Sequence, residues 1–340
     1  MKKTLTIGLD IGNYDVKTQN TTTPSGFVTY DSLPYGVENY MKLNGRYYIP
    51  DEQRFSYTKD KTVNDNAIIL SLMGIAAEIL AEAEKQDKKK REQAEKNPAK
   101  ANRILGIQGE INELEFINLG VGLPPTHVSA LEEKTKNYYL KHFGNGKEYI
   151  TYEYNGYKIS FKLNAIKCYP QDFAAVLVYK PKDNENSAVS YPTFYAVDIG
   201  GWTVDIVTVK NRRLEWDKCD SKGLGILAMY EKIGKDIEIK TGKRLSHNDM
   251  ECILKGEKTL LKEEIVDAVK ACASEWYKKI ISSLVQFGLD LDTYPVLFVG
   301  GGALLFKRNI RTDKSITKYE FISSPRANAI GYATLLDAGR

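Results

Sequence analysis

An α/β architecture of two similar domains is what this sequence predicts, and three observations predict it. The chain has 340 residues, 42% of them hydrophobic, which is more than a single core usually accommodates. Strand-like runs rich in β-branched residues alternate with segments of helical period along its length. The pattern D-I-G-x-x-x-V also occurs twice, as DIGNYDVK from Asp10 to Lys17 and as DIGGWTVD from Asp198 to Asp205. The two copies are too far apart for a solenoid repeat, so each is expected to belong to its own domain.

The opening stretch from Thr4 to Asn20 reads as a strand, a turn on Gly12 and Asn13, and a second extended run. The segment from Tyr30 to Tyr57, rich in tyrosine and glycine, suits a small sheet-like lobe inserted at about residues 30–60. From Asn64, read as an N-cap, apolar residues recur at Ile68, Leu72, Ile75 and Ile79 on one helical face. The helix continues into a charged extension, Glu82 to Lys96, where pairs such as Glu84 with Lys88 and Glu92 with Lys96 would support it until Asn97 and Pro98.

Ile117 to Leu123 reads as a buried strand and Leu131 to Phe143 as a helix, and Tyr149 to Ile166 as a hairpin turned at Asn155 and Gly156. The polar stretch 181–192 is the expected boundary, so the first domain covers residues 1–182 and the second 190–322, with 323–340 returning to the first. In the second domain, Phe194–Asp198, Thr203–Val209 and Leu214–Trp216 read as strands, with a turn at Asn211 and Arg212. A long helix through Ile265, Val269, Cys272, Trp276 and Ile280 stops at Gly288. A short buried strand, Val296–Val299, then enters three consecutive glycines.

Composition narrows the function. Forty-eight basic side chains against 44 acidic ones leave a net charge of +4, too balanced for direct nucleic-acid binding through a broad basic face. Cys168, Cys219, Cys252 and Cys272 show no metal-site or disulfide spacing and are expected to be reduced, mostly buried thiols of a cytoplasmic protein. His127, His142 and His247 show no ligand spacing either. No secretory leader follows Met1, and no apolar run is expected to reach the length of a membrane span.

The repeated hairpin carries the chemistry. Gly12, and Gly200 with Gly201, let backbone N–H groups approach phosphate oxygens. Asp10 and Asp198, at the ends of their first strands, would repel a polyphosphate unless a divalent ion lay with them, and Mg²⁺ held through water is the natural choice. Lys17 would offset charge on a β- or γ-phosphate. Gly300, Gly301 and Gly302 allow close backbone approach to an adenine, a ribose or a phosphate. Neither a dinucleotide fingerprint nor a Walker A loop is present.

In this order, these elements resemble the actin, sugar-kinase and heat-shock-chaperone ATPase superfamily, whose duplicated ribonuclease H-like fold holds its nucleotide in a cleft between two domains. The length, the small lobe and the segment SSPRANAIGYATLL look most like plasmid-segregating bacterial actins of the ParM type. That resemblance implies ATP, with GTP as an alternative, and Mg²⁺. It implies self-assembly into filaments and an adaptor protein of ParR type bound to plasmid centromere DNA, with no membrane. Carried over by position, Asp10, Gly12, Asn13 and Lys17 would bind phosphates and metal, Asp198 would orient the metal-bound water, and Gly200, Gly201 and Thr203 would complete the second phosphate turn.

Gln171, with Asp172 as the alternative, falls where the family positions the attacking water. Gly223 and Gly225 resemble its ribose and phosphate turn, with Lys232 or Lys235 near the base. The aromatic lobe with Tyr35, Tyr40, Tyr47 and Tyr48 is expected to be exposed and available for assembly. Competing expectations are a small-molecule kinase, with Asp172 as its base, and an ATP-binding protein that does not polymerise. A chaperone would need a substrate-binding domain after Arg340.

Overall fold

A computed structural model describes residues 3–51, 55, 60–183 and 185–339. Tyr57 at the end of the expected lobe, Asn184 in the expected boundary, Met1 and Arg340 lie outside the described residues. The chain divides into two compact units, one of Met1–Leu123, His127–Val178 and Asn328–Arg340, the other of Pro124–Thr126 and Tyr179–Ala327.

The first unit contains β1 (Thr4–Ile11), β2 (Asp15–Lys17), β3 (Thr22–Pro24), β4 (Phe27–Tyr30), β5 (Met41–Leu43), β6 (Arg46–Pro50), α1 (Asn66–Lys96), α2 (Gly106–Asn112), β7 (Phe116–Leu123), α3 (Val128–His142), β8 (Ile150–Tyr154), β9 (Tyr157–Pro170) and α4 (Phe173–Val178). Its sheet runs β3-β2-β1-β7-β9-β8-β5-β6-β4. The three central strands are parallel and buried, which is why they read as near-continuous apolar runs. The segment expected as an inserted lobe is part of this sheet: β5 pairs antiparallel with β8 through Met41 and Tyr154. The 14-residue β9 spans both regions, pairing with β7 at one end and β8 at the other. Asn155 and Gly156, at φ 50° and 80°, make the tight turn between β8 and β9.

The apolar face of α1 packs on this sheet, and Ile75 and Ile79 are fully buried, each contributing about 1.5–3 kcal/mol. Its cap lies one residue later than expected: Asp65 is the N-cap, and Asn64 instead accepts a hydrogen bond from the Asn66 N–H at 3.0 Å. Among the described residues, the charged extension is held by Arg91 with Asp87 (2.6 Å) and by Lys90 with the buried Glu110 of α2. The expected Glu84–Lys88 and Glu92–Lys96 pairs are not among its ion pairs. Contrary to expectation, α1 also contains an 18-residue window long and apolar enough to cross a membrane, with a mean hydropathy of 1.6. Of that window 78% is buried inside the unit, so its apolar character is that of a core helix.

The second unit contains β10 (Thr193–Ile199), β11 (Val204–Lys210), β12 (Arg213–Leu214), β13 (Asp220–Lys222), α5 (Ile226–Thr241), α6 (His247–Lys255), α7 (Glu263–Phe287), β14 (Val296–Val299), α8 (Gly300–Leu305), α9 (Lys307–Thr312) and β15 (Tyr319–Phe321). Its sheet runs β12-β11-β10-β14-β15, with β13 also paired to β11. The strand expected to reach Trp216 ends at Leu214, and a short 3-10 turn follows at Trp216–Lys218. Gly288, at φ 103°, ends α7 in the left-handed conformation that favours glycine.

A last helix, α10 (Ala327–Asp337), packs on the first unit. It comes so close to β1 that a Cβ on Gly8 would lie 1.8 Å from the Ala329 carbonyl oxygen. Gly331 of the helix faces the Ala174 backbone in the same way, at 2.6 Å. All four cysteines are free, but only Cys168 and Cys219 are buried, Cys252 and Cys272 being half-buried. Burial pushes the Cys168 thiol up to about 12, well out of the reactive range at neutral pH.

Candidate functional site

The two copies of the repeated motif form hairpins of identical register. In the first, Asp10 lies opposite Lys17 and Ile11 opposite Val16. In the second, Asp198 lies opposite Asp205 and Ile199 opposite Val204. Their turns are built alike: a Cβ on Gly12 would meet the Asp15 carbonyl oxygen at 2.7 Å, and one on Gly200 the Thr203 carbonyl oxygen at 3.3 Å. Gly12 is thus required first by its turn, whereas a side chain on Gly200 would need only a small shift of its neighbour.

In each unit these residues gather at the carboxyl ends of adjacent parallel strands, where open α/β sheets place their ligands. In the first unit, Asp10 and Gly122 are each the last residue but one of β1 and β7, and Gln171 directly follows β9. Asp10 is 6% exposed, and the Gln171 Nε2 donates to its Oδ1 at 3.4 Å, so sequence-distant candidates meet here. Asn13, Lys17 and Gln171 are half-buried at the same end. Asp172 points elsewhere. It is 1% exposed, its backbone N–H donates to Asn328 Oδ1 at 2.7 Å, and Asn328 Nδ2 donates to its Oδ1 at 3.1 Å.

In the second unit, Asp198 is the last residue but one of β10, and Gly300 directly follows the neighbouring parallel strand β14. A Cβ on Gly300 would fall 1.9 Å from Asp198 Oδ1, and its φ is 86°, so glycine both permits the turn and leaves room for the carboxylate. Gly302 packs against Ile199 and Ile226, whereas Gly301 is exposed and has open space where a Cβ would stand. Replacing Gly300 with alanine is therefore expected to displace Asp198 and to destabilise the second unit by about 1–3 kcal/mol. Gly301→Ala should leave the unit's unfolding midpoint unchanged. Urea unfolding of the two variants checks this, and equal midpoints would contradict it.

The second hairpin is bolted to the start of α5. The N–H groups of Ile226 and Leu227 donate to the Gly200 and Gly201 carbonyls at 3.0 and 2.7 Å, and that of Gly225 to Trp202 at 3.0 Å. Gly223 is exposed and open, while Gly225 is buried against Gly201 and Trp202. The two glycines therefore differ, the first lying open to solvent and the second serving close packing. Trp276 Nε1 steadies this turn by donating to the Leu224 carbonyl at 2.9 Å. Lys232 and Lys235 are exposed, and Lys232 pairs with Asp236 at 2.8 Å.

One residue that motif reading left without a role stands out. Asp205 occupies the register position of Lys17, 8% exposed, and accepts from Thr203 Oγ1 at 2.9 Å. The first hairpin thus carries a carboxylate and an ammonium, the second two carboxylates. Opposed side chains on paired strands stand about 5 Å apart, so Asp198 and Asp205 together form the kind of oxygen-donor set a hard divalent cation accepts.

The expected exposed aromatic surface is smaller than the sequence suggests. Tyr35 is fully exposed, but Tyr40 is tied to Glu153 by a 2.5 Å hydrogen bond and stacks obliquely on Tyr47, and Tyr48 packs edge-on to Phe27. These three hold the sheet together.

Two α/β units, each opening on the same acidic hairpin, give the chain an actin-like fold. Residues 196–312 match the family described as archaeal actin homologue MreB-like, C-terminal. Similar solved structures include a 15-stranded ParM filament from Clostridium botulinum, 16% identical over 99% of this chain and 100% of that one, with a TM-score of 0.69. Another is ParM of Bacillus thuringiensis with ATP, 16% identical over all of both chains, with a TM-score of 0.61. A third is an archaeal actin homologue in complex with ADP, 15% identical over 98% of this chain and 99% of that one, with a TM-score of 0.67. No curated protein matches by sequence.

Proposed function

We propose that this chain is a cytoplasmic actin-like ATPase that binds Mg-ATP, polymerises into filaments, and moves plasmid DNA through a DNA-bound adaptor protein of ParR type. The observation that carries the nucleotide reading is the pair of hairpins in identical register, each with its carboxylate at a strand end and a glycine turn beyond it. Each hairpin is suited to the phosphates of ATP. Lys17 offsets phosphate charge, the hairpin N–H groups donate to phosphate oxygens, and Gly301 leaves room for a flat group.

Asp10 in the first unit, and Asp198 backed by Asp205 in the second, are each suited to hold Mg²⁺ through water. When bound, the ion neutralises charge that develops on the phosphates. Gln171, a neutral amide within reach of Asp10, is suited to orient the attacking water. The engagement of Asp172 with Asn328 argues against its use as the general base of a small-molecule kinase, since a base must face its acceptor hydroxyl. The likeness in fold to a ParM filament supports the assembly reading.

The test is direct. Adding Mg-ATP to the protein at concentrations well above the micromolar range should raise light scattering, with release of free phosphate following. A flat scattering trace would remove the filament reading, and transfer of phosphate to a sugar acceptor would replace the ATPase reading with a kinase.

A further inference from the structure

We infer that Asn328, on the C-terminal helix α10, is a positioning residue for Gln171, acting through Asp172. This rests on the reading of Gln171 as the water-orienting side chain. The chain leaves β9 at Pro170 and immediately adopts a left-handed conformation at Asp172, with φ +62°. Aspartate enters this conformation more readily than most non-glycine residues. Here a specific partner holds it there.

Asn328 makes two reciprocal bonds to Asp172, accepting from its backbone N–H and donating to its carboxylate. The first fixes the peptide that joins residues 171 and 172. The Gln171 N–H is fixed on the other side by the Leu123 carbonyl at 2.9 Å. Both peptides flanking the Gln171 Cα are thereby held, which aims its side chain at Asp10.

The helix that brings Asn328 is itself seated without slack. Tyr332, one turn on, is fully buried and stacks on Tyr169 with ring centroids 6.0 Å apart. A Cβ on Gly122 would lie 2.1 Å from the Tyr332 hydroxyl and 2.9 Å from Gln171 Cγ. The tyrosine and the glutamine thus share the space that the missing side chain of Gly122 leaves. Together these contacts make α10 a template for the glutamine, and a displacement of about 1 Å at such a group costs on the order of a hundredfold in rate.

The amide of Asn328 is suited to the task because it accepts and donates at once. Asn328→Asp keeps the shape but sets a carboxylate against the Asp172 carboxylate. Asp172→Asn in that background restores a donor–acceptor pair with the roles exchanged. The expected result is at least a tenfold fall in the single-turnover rate of ATP hydrolysis for Asn328→Asp, with ATP affinity within about threefold of the unaltered protein. The double variant should recover most of the lost rate.

Hydrolysis unaffected by Asn328→Asp overturns this inference and leaves the ATPase reading standing. A double variant that regains thermal stability but not rate also overturns it, because Asp172 then does more than hold the turn. Failure of the unaltered chain to hydrolyse ATP at all overturns both readings.

Discussion

Gly8→Val is expected to destabilise the first unit by more than about 3 kcal/mol, the upper part of the range for overpacked cores. Valine suits a strand, so secondary structure does not oppose the change. The obstacle is that the new Cβ would lie 1.8 Å from the Ala329 carbonyl oxygen and 2.9 Å from the Ala333 nitrogen. Both are backbone atoms of α10, which cannot move aside as a side-chain end would. A useful contrast is Gly234→Ala, inside α5, where the nearest atom to the added Cβ is the flexible Met250 Cε at 3.9 Å. That change should stabilise the second unit by up to about 1 kcal/mol. Urea unfolding of both variants decides the matter, and equal midpoints would show that the close approach of α10 carries no energetic weight.

Under the ATPase function proposed above, Gln171→Ala is expected to slow phosphate release about a hundredfold while ATP affinity changes by no more than about threefold. The reasoning is that a side chain acting on the water contributes to the transition state rather than to ground-state binding. Its 3.4 Å contact with Asp10 is too long to contribute much to folding. Under the proposed filament reading, filaments of the variant should outlast those of the unaltered protein. Unchanged phosphate release in a single-turnover experiment would assign the water to another group.

Much of the fold was legible because local patterns and final structure agree. The β-branched run before Asp10, the Asn155–Gly156 turn, the apolar stripe of α1 and the glycine stop after α7 all report short-range physics, and the chain obeys them. The repeat was legible for the same reason, since a hairpin is written in consecutive residues. What failed to show was long-range. Nothing near Met41 says that it will pair with Tyr154, so a sheet extension resembled an inserted lobe, and tyrosines that pack within it resembled a surface.

The site followed the same division. Asp10, Asp198 and the glycines announce themselves, but the role of Asp205 depends on a cross-strand register that motif alignment alone does not weigh. Asn328 lies in a segment whose residues suggested only family likeness. Its partnership with Asp172 joins positions far apart in the chain, and no spacing rule reaches that far. The membrane-length window of α1 shows the converse, a local pattern whose meaning is set by what surrounds it.

The seating of α10 against β1 has a temporal consequence for synthesis. The second unit is almost continuous in sequence and can fold as soon as it clears the ribosome. The first must wait with its β1 face uncovered until residues 328 onward emerge, at a rate of about 5–20 residues per second. During that interval of several seconds the nascent chain presents an unfinished apolar surface, which makes the first unit the place where chaperone engagement or misassembly would begin.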